Sequence, residues 1–256
     1  MIQIAVLIAC HNRREKTLEC ISRLDDATRR ANVGYQIILF DDGSTDGTSD
    51  AVKRKSVNTV ILKGDGNYFW NRSMHEAFAF AMKRGFRAYL WLNDDTMLNK
   101  DAFLKIFEAL ENNADEAAIV VGAVKDPVYG EIAYGGGRLT SPVLRPFRYQ
   151  MVQPNGSPKR VDVMNGNVVW IPGVVAQRLG NLDPIFEHGM GDIDYAMRAS
   201  KNEIGIVQTP GFVGECPRNS IAGTYQDSRL PLRIRLEKIF SKKGLPWRTW
   251  FVMCAR

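Results

Sequence analysis

A chain of 256 residues, 45% hydrophobic and 24% charged, is long enough to bury one sizeable core and reads as one domain with an appendage. No run approaches the roughly 18 consecutive apolar residues of a spanning helix, and Met1 leads into the apolar run 2–10 without a basic leader or cleavage site, so residence in the cytosol is expected. The net charge of +6 lies wholly in residues 221–256, where eight Lys/Arg oppose Asp227 and Glu237; the remaining body is neutral, which argues against a nucleic-acid partner.

Residues 2–9 form a short apolar run typical of a buried strand, and 15–30 carry Leu18, Ile21 and Leu24 at helical spacing. The alternation continues: strand 36–40, helix 48–55, strand 59–62, helix 71–84, strand 89–92, helix 100–111. Four such units predict an α/β fold with a mainly parallel central sheet and helices on both faces. After Gly122 the periodicity fades into shorter Gly- and Pro-rich segments, a mixed second half in which Gly135-Gly136-Gly137 reads as a tight turn or mobile loop. The domains are therefore 1–220, the α/β body, and 221–256, a basic, aromatic-rich helical tail. The four cysteines and three histidines are scattered, so reduced structural thiols are expected and no histidine-rich metal site is proposed.

In parallel sheets ligands bind where strands end, and the polar clusters of this sequence follow the strands. Asp41 and Asp42 precede a Gly/Ser/Thr turn, where one carboxylate can accept hydrogen bonds from a nucleobase or ribose, while Ser44, Thr45 or Asp46 caps the next helix. A calcium loop counted from Asp42 fails because Lys53 occupies the twelfth position, where a bidentate Glu is required. Asn93-Asp94-Asp95 follows the apolar run 89–92; adjacent carboxylates need compensation, and a hard divalent cation, Mg2+ or Mn2+, supplies it. Helix capping there is better served by Asn99. Asp192 opens a helix whose dipole would keep it ionised, as a general base must be, and Asp194 and Arg198 are spaced to pair.

Together and in this order, these segments resemble family 2 glycosyltransferases of the GT-A (nucleotide-diphospho-sugar transferase) fold, particularly bacterial surface-polysaccharide and rhamnosyltransferase-like enzymes. The resemblance covers roughly residues 2–209. It implies that Ala9, His11 and Arg13 line the nucleotide pocket, that Asp42 contacts the base, that Asp95 ligates the metal with Asp94 on the sugar or ribose, and that Asp192 is the catalytic base of an inverting transfer. Asn67, Trp70 and Asn71 lie where the family places donor contacts; Trp70 either stacks on a sugar or packs in the core. The chain departs from the pattern at Asn93, at Gly191, and at Gly214-Glu215-Cys216, which has no late metal-binding His and offers Glu215 as a substitute. A UDP- or dTDP-sugar donor and a glycan or lipid-linked acceptor of the bacterial cell surface are implied.

In the tail, Leu232, Leu236, Ile239 and Phe240 share one helical side, followed by Leu245, Trp247, Trp250 and Phe251 among basic residues. That pattern suits the cytoplasmic surface of an anionic inner membrane, or a helix packed on the body or in a homodimer. The alternative functions are a sugar-phosphate nucleotidyltransferase, which would need a Gly-rich triphosphate loop where residues 9–14 have no glycine, and a non-catalytic nucleotide-sugar-binding module.

Overall fold

The computed structural model describes residues 2–112, 117–140, 148–244 and 246–256; Leu245 of the tail pattern lies outside them. The first half is built from β1 (Ile2–Cys10), α1 (Arg14–Ala31), β2 (Val33–Asp41), α2 (Thr48–Lys55), β3 (Thr59–Lys63), α3 (Phe69–Met82) and β4 (Ala88–Leu92). Next come β5 (Met97–Leu98), α4 (Ala102–Glu111) and β6 (Ile119–Lys125), then the short strands β7 (Ile132–Tyr134), β8 (Gly136–Leu139), β9 (Tyr149–Met151), β10 (Lys159–Arg160) and β11 (Val163–Met164). The chain finishes with β12 (Val168–Pro172), α5 (Gly173–Leu179), α6 (Gly191–Lys201), β13 (Ile206–Glu215), α7 (Leu232–Ile239) and α8 (Trp247–Ala255).

The main sheet runs β10-β13-β6-β12-β4-β1-β2-β3, with β5 and β7 attached to β13 and β6. β3, β2, β1 and β4 are mutually parallel, as four successive strand–helix units require. β12 then inserts antiparallel between β4 and β6, which makes the second half mixed. Because side chains alternate across a strand, Ile4, Val6 and Ile8 of β1 pack with α1 and α4 on one face. Ala5 and Leu7 pack with α3, α5 and α6 on the other.

Three local expectations change. Gly136 and Gly137 are strand residues, because a Cβ there would lie 2.7 Å from Val161 and 2.4 Å from Tyr149; the glycines let the small sheet β11-β8-β9 close up. Asn99 does not cap α4 through its side chain, which donates instead to the Phe212 carbonyl at 3.1 Å. The N-cap of α2 is Gly47 rather than Ser44, Thr45 or Asp46, with Asp46 just before it: the Asp46 carboxylate accepts the Thr48 N–H at 3.1 Å and, across the fold, the Arg14 N–H at 2.9 Å at the start of α1.

The tail is partly docked. α8 buries Thr249 and Met253, and Arg256 forms ion pairs with Asp183 and Asp194 of the body. α7 buries none of its residues. Among the described residues, no helix is long and apolar enough to cross a membrane.

Candidate active site

The carboxyl ends of β1, β2 and β4 open on a cleft of about 520 Å³, within the size range of small-ligand sites. The parallel register aligns Cys10 with Asp41 and Leu7 with Trp91, so the three loops that follow leave the sheet on the same edge. Of the residues expected at the site, Ala9, His11, Arg13, Asp42, Trp70, Asp94, Asp95 and Asp192 line this cleft; Asp41, Asn67 and Asn71 do not.

Asp42 is buried, and its two oxygens accept three backbone N–H groups, from Gly66 at 2.8 Å and from Tyr68 and Phe69 at 3.0 Å each. The carboxylate thus builds the loop that crosses the cleft floor. It also holds Phe69 at a φ of +58°, a left-handed conformation that costs a bulky residue on the order of 1–3 kcal/mol. Asp41 points the other way, accepting the Ser44 N–H at 2.9 Å and the Ser49 hydroxyl, so it fixes the β2–α2 turn. Asn67 lies in the exposed part of the same loop, its N–H donated to Asp65 at 3.0 Å. Asn71 is fully buried, donating to the carbonyls of Asp183 and Phe186 and thereby tying α3 to the segment before α6.

After β4, Arg13 lies across both aspartates, with Nη1 at 3.1 Å from Asp94 Oδ1 and 2.7 Å from Asp95 Oδ2. Burial pushes the Asp94 carboxyl up to about 7 against the pull of Arg13, and Asp94 Oδ2 is buried with no hydrogen-bond partner. Asp95 is more open and accepts the Cys216 thiol at 3.5 Å; burial and Asp95 push that thiol up to about 12, so it stays a neutral donor. Trp70 donates its indole N–H to Asn93 Oδ1 at 2.7 Å and packs edge-on to Trp91, while remaining part of the cleft wall. The neutral residue of the turn is thus held by the Trp70 indole, and its acidic neighbours by Arg13. Glu215, in contrast, pairs with Lys125 at 2.8 Å and does not line the cleft.

Asp192 faces these groups from the start of α6. Its oxygens accept the N–H groups of Gly166 at 3.0 Å and Ile193 at 2.9 Å. The helix terminus does not hold it at an ordinary acidity: burial outweighs the backbone donors and raises its pKa above the usual 3.8. Asp194 pairs with Arg198 at 2.9 Å, as the spacing predicted, on the opposite side of the helix.

Several cleft residues escaped the sequence reading: Phe69, Asn165, Gly166, Asn167, His188 and Lys243. Asn165-Gly166-Asn167 carries the same signature as the clusters that were found, a polar triplet between apolar strands β11 and β12. Gly166 is required there because a Cβ would lie 2.3 Å from the Trp70 ring.

A central sheet with parallel strands 3-2-1-4, an inserted antiparallel strand and a carboxylate-lined cleft at its switch edge define a GT-A type of domain. The chain belongs to glycosyl transferase family 2, whose profile matches residues 5–166, more than half of its length. It is 25% identical over 161 residues to a dolichol-phosphate mannosyltransferase of Pyrococcus furiosus, a match covering 57% of this chain and only 44% of that relative. Solved structures share the fold. A chain of S. aureus TarS superposes with a TM-score of 0.59 at 12% identity, over 84% of this chain and 60% of that one. The mannosyltransferase PcManGT from Pyrobaculum calidifontis, in complex with GDP-Man and Mn2+, gives 0.54 at 15% identity over 83% and 56%. GalNAc-T7 with UDP, GalNAc and Mn2+ gives 0.65 at 16% identity over 91% and 46%.

Proposed function

We propose that this protein is an inverting glycosyltransferase that moves a sugar from a nucleoside-diphosphate-sugar donor to a hydroxyl of a cell-surface glycan or lipid-linked acceptor. The observation that carries the reading is that Asp94 and Asp95, on the β4 side, and Asp192, on α6, face one cleft. The two roles the reaction needs, a charge-handling group for the diphosphate and a proton acceptor for the nucleophile, thereby come to one cleft from separate elements.

The donor set fits a hard divalent cation. Asp95 lines the cleft with a carboxylate 15% exposed, Asp94 has a buried oxygen without a partner, and Mg2+ or Mn2+ takes one or two carboxylates and completes its shell with phosphate oxygens and water. A cation held there would supply charge neutralisation for the departing diphosphate. The chain's own residues do the rest. Asp192 accepts the proton of the acceptor hydroxyl, the hydroxyl oxygen forms a bond to the anomeric carbon, and the bond to the diphosphate oxygen breaks with its electron pair leaving on the nucleoside diphosphate. A raised pKa makes Asp192 a stronger base than an ordinary aspartate, and the N–H groups of Gly166 and Ile193 aim its oxygens. Trp70, fixed by Asn93, offers a flat wall for the sugar.

UDP- or dTDP-sugars are the donors we favour by family likeness. The relatives with GDP-Man and with UDP make both purine and pyrimidine nucleotides worth testing. The test is a thermal-shift and calorimetric screen of UDP-, dTDP- and GDP-sugars with and without Mn2+. At least one is expected to bind more tightly with the metal; no metal-dependent binding of any of them would overturn the proposal. The exposed aromatic and basic side chains of the tail support a further part of the reading, peripheral attachment to an anionic membrane surface.

A further inference from the structure

We propose that Lys243, carried by the C-terminal segment, is a donor-binding residue whose ammonium group holds the diphosphate of the nucleotide sugar. The inference rests on the donor reading above and adds a residue that lies outside the stretch matched by the family profile.

The charge balance of the cleft motivates it. Four carboxylates line the space, Asp42, Asp94, Asp95 and Asp192, against two permanent cations, Arg13 and Lys243. Arg13 is already engaged by both Asp94 and Asp95. Even with a divalent cation at Asp94 and Asp95, the four carboxylates outnumber the charge of that cation and Arg13 together, so a diphosphate entering the cleft needs a further positive charge. Lys243 is that charge: among the described residues it has no carboxylate within ion-pair distance, whereas its neighbour Lys242 is held by Glu187 at 3.3 Å.

The position of Lys243 is built. Its Nζ lies 5.9 Å from the centre of the Phe69 ring, over which Lys242 also sits at 5.2 Å. Phe69 is the residue that Asp42 pins at a positive φ, so the carboxylate at the end of β2 sets the platform on which the tail lysine rests. His188 stands edge-on to the same ring and lines the same cleft, and besides its burial the positive fields of Lys243 and Arg13 both oppose its protonation. A flexible ammonium over an aromatic face can swing to a phosphate without breaking an ion pair.

Isothermal titration of the full chain with UDP, dTDP and GDP, and with the corresponding nucleosides, all with Mg2+, tests this for the wild type, Lys243→Met, Lys243→Arg and Lys238→Met. Lys238 lines the neighbouring cavity rather than the cleft. The expected result is about a tenfold or greater loss of diphosphate affinity in Lys243→Met, unchanged nucleoside affinity, near wild-type binding in Lys243→Arg, and no effect of Lys238→Met. Diphosphate binding by Lys243→Met equal to the wild type would overturn the role and leave the donor reading standing. An equal loss for nucleoside and diphosphate would reduce Lys243 to a packing residue. No diphosphate binding by the wild type would overturn both readings together.

Discussion

Adjacent residues in this chain divide sharply into those that build the site and those that face it. Asp41 and Asp42 are both buried, yet one closes a turn and the other closes the loop under the cleft, because neighbouring side chains at a strand end leave on opposite sides. Asp192 is the residue on which the proposed chemistry turns. Asp192→Asn is expected to keep donor affinity within twofold and to lower kcat by about 10²–10⁴-fold, measured by calorimetry and product formation; retained transfer would remove Asp192 from the role. The base works only when ionised, so activity falls as pH drops through its pKa. Since burial raises that pKa above 3.8, the Asp192 ionisation in the kcat/KM profile should lie above the ordinary aspartate range, and the Asn variant should lose it while keeping the limb that Asp94 contributes near 7. Gly166→Ala forces a methyl group into the Trp70 ring, 2.3 Å away, and displaces the N–H that aims Asp192. A displacement of about 1 Å there should cost kcat on the order of 10²-fold, while far-ultraviolet circular dichroism stays unchanged.

At the level of elements, α3 and α6 are coupled through the segment between α5 and α6. The Asn71 amide on α3 supplies hydrogen bonds to the carbonyls of Asp183 and Phe186, and the Arg72 guanidinium adds one to Pro184 at 2.9 Å and pairs with Glu187 at 2.8 Å. Gly191, the first residue of α6, lies so close that a Cβ there would collide with the Asn71 amide. Asn71→Ala leaves the buried Phe186 carbonyl without a donor, while the Asp183 carbonyl keeps the Phe186 N–H at 3.3 Å, and should destabilise the fold by about 1–3 kcal/mol in urea titration. A variant as stable as the wild type would show that the segment finds other donors. The family likeness points to Asn71 as a donor contact; its burial makes it a strut of the wall that carries Asp192.

For the whole molecule, the tail presents surfaces beyond the one that reaches the cleft. α8 is latched to the body by Arg256, but Trp247 and Phe251 on its outer side are 65% and 70% exposed, and Leu232 and Phe240 at α7 are 69% and 65% exposed. Docking and membrane contact are therefore compatible, since different faces serve them. The full chain is expected to sediment with phosphatidylserine vesicles and far less with neutral ones, and Trp247→Ser with Phe251→Ser should abolish most of that binding without changing Tm. Sedimentation of the double variant equal to the wild type would end the membrane reading.

Read alone, the sequence displays the order of strands and helices in residues 2–111 apart from β5, the parallel half of the sheet, and the edge at which polar residues gather. Those features are set by local periodicity and by short connections, which a single chain displays openly. Only the tertiary structure decided which member of each polar cluster reaches the cleft, that β12 inserts antiparallel beside β4, and that Asn165–Asn167 and Lys243 arrive at the same space as Asp42 and Asp95. Such contacts join residues far apart in the chain. What fixes them is the packing of whole faces against one another, and no spacing within one segment records it.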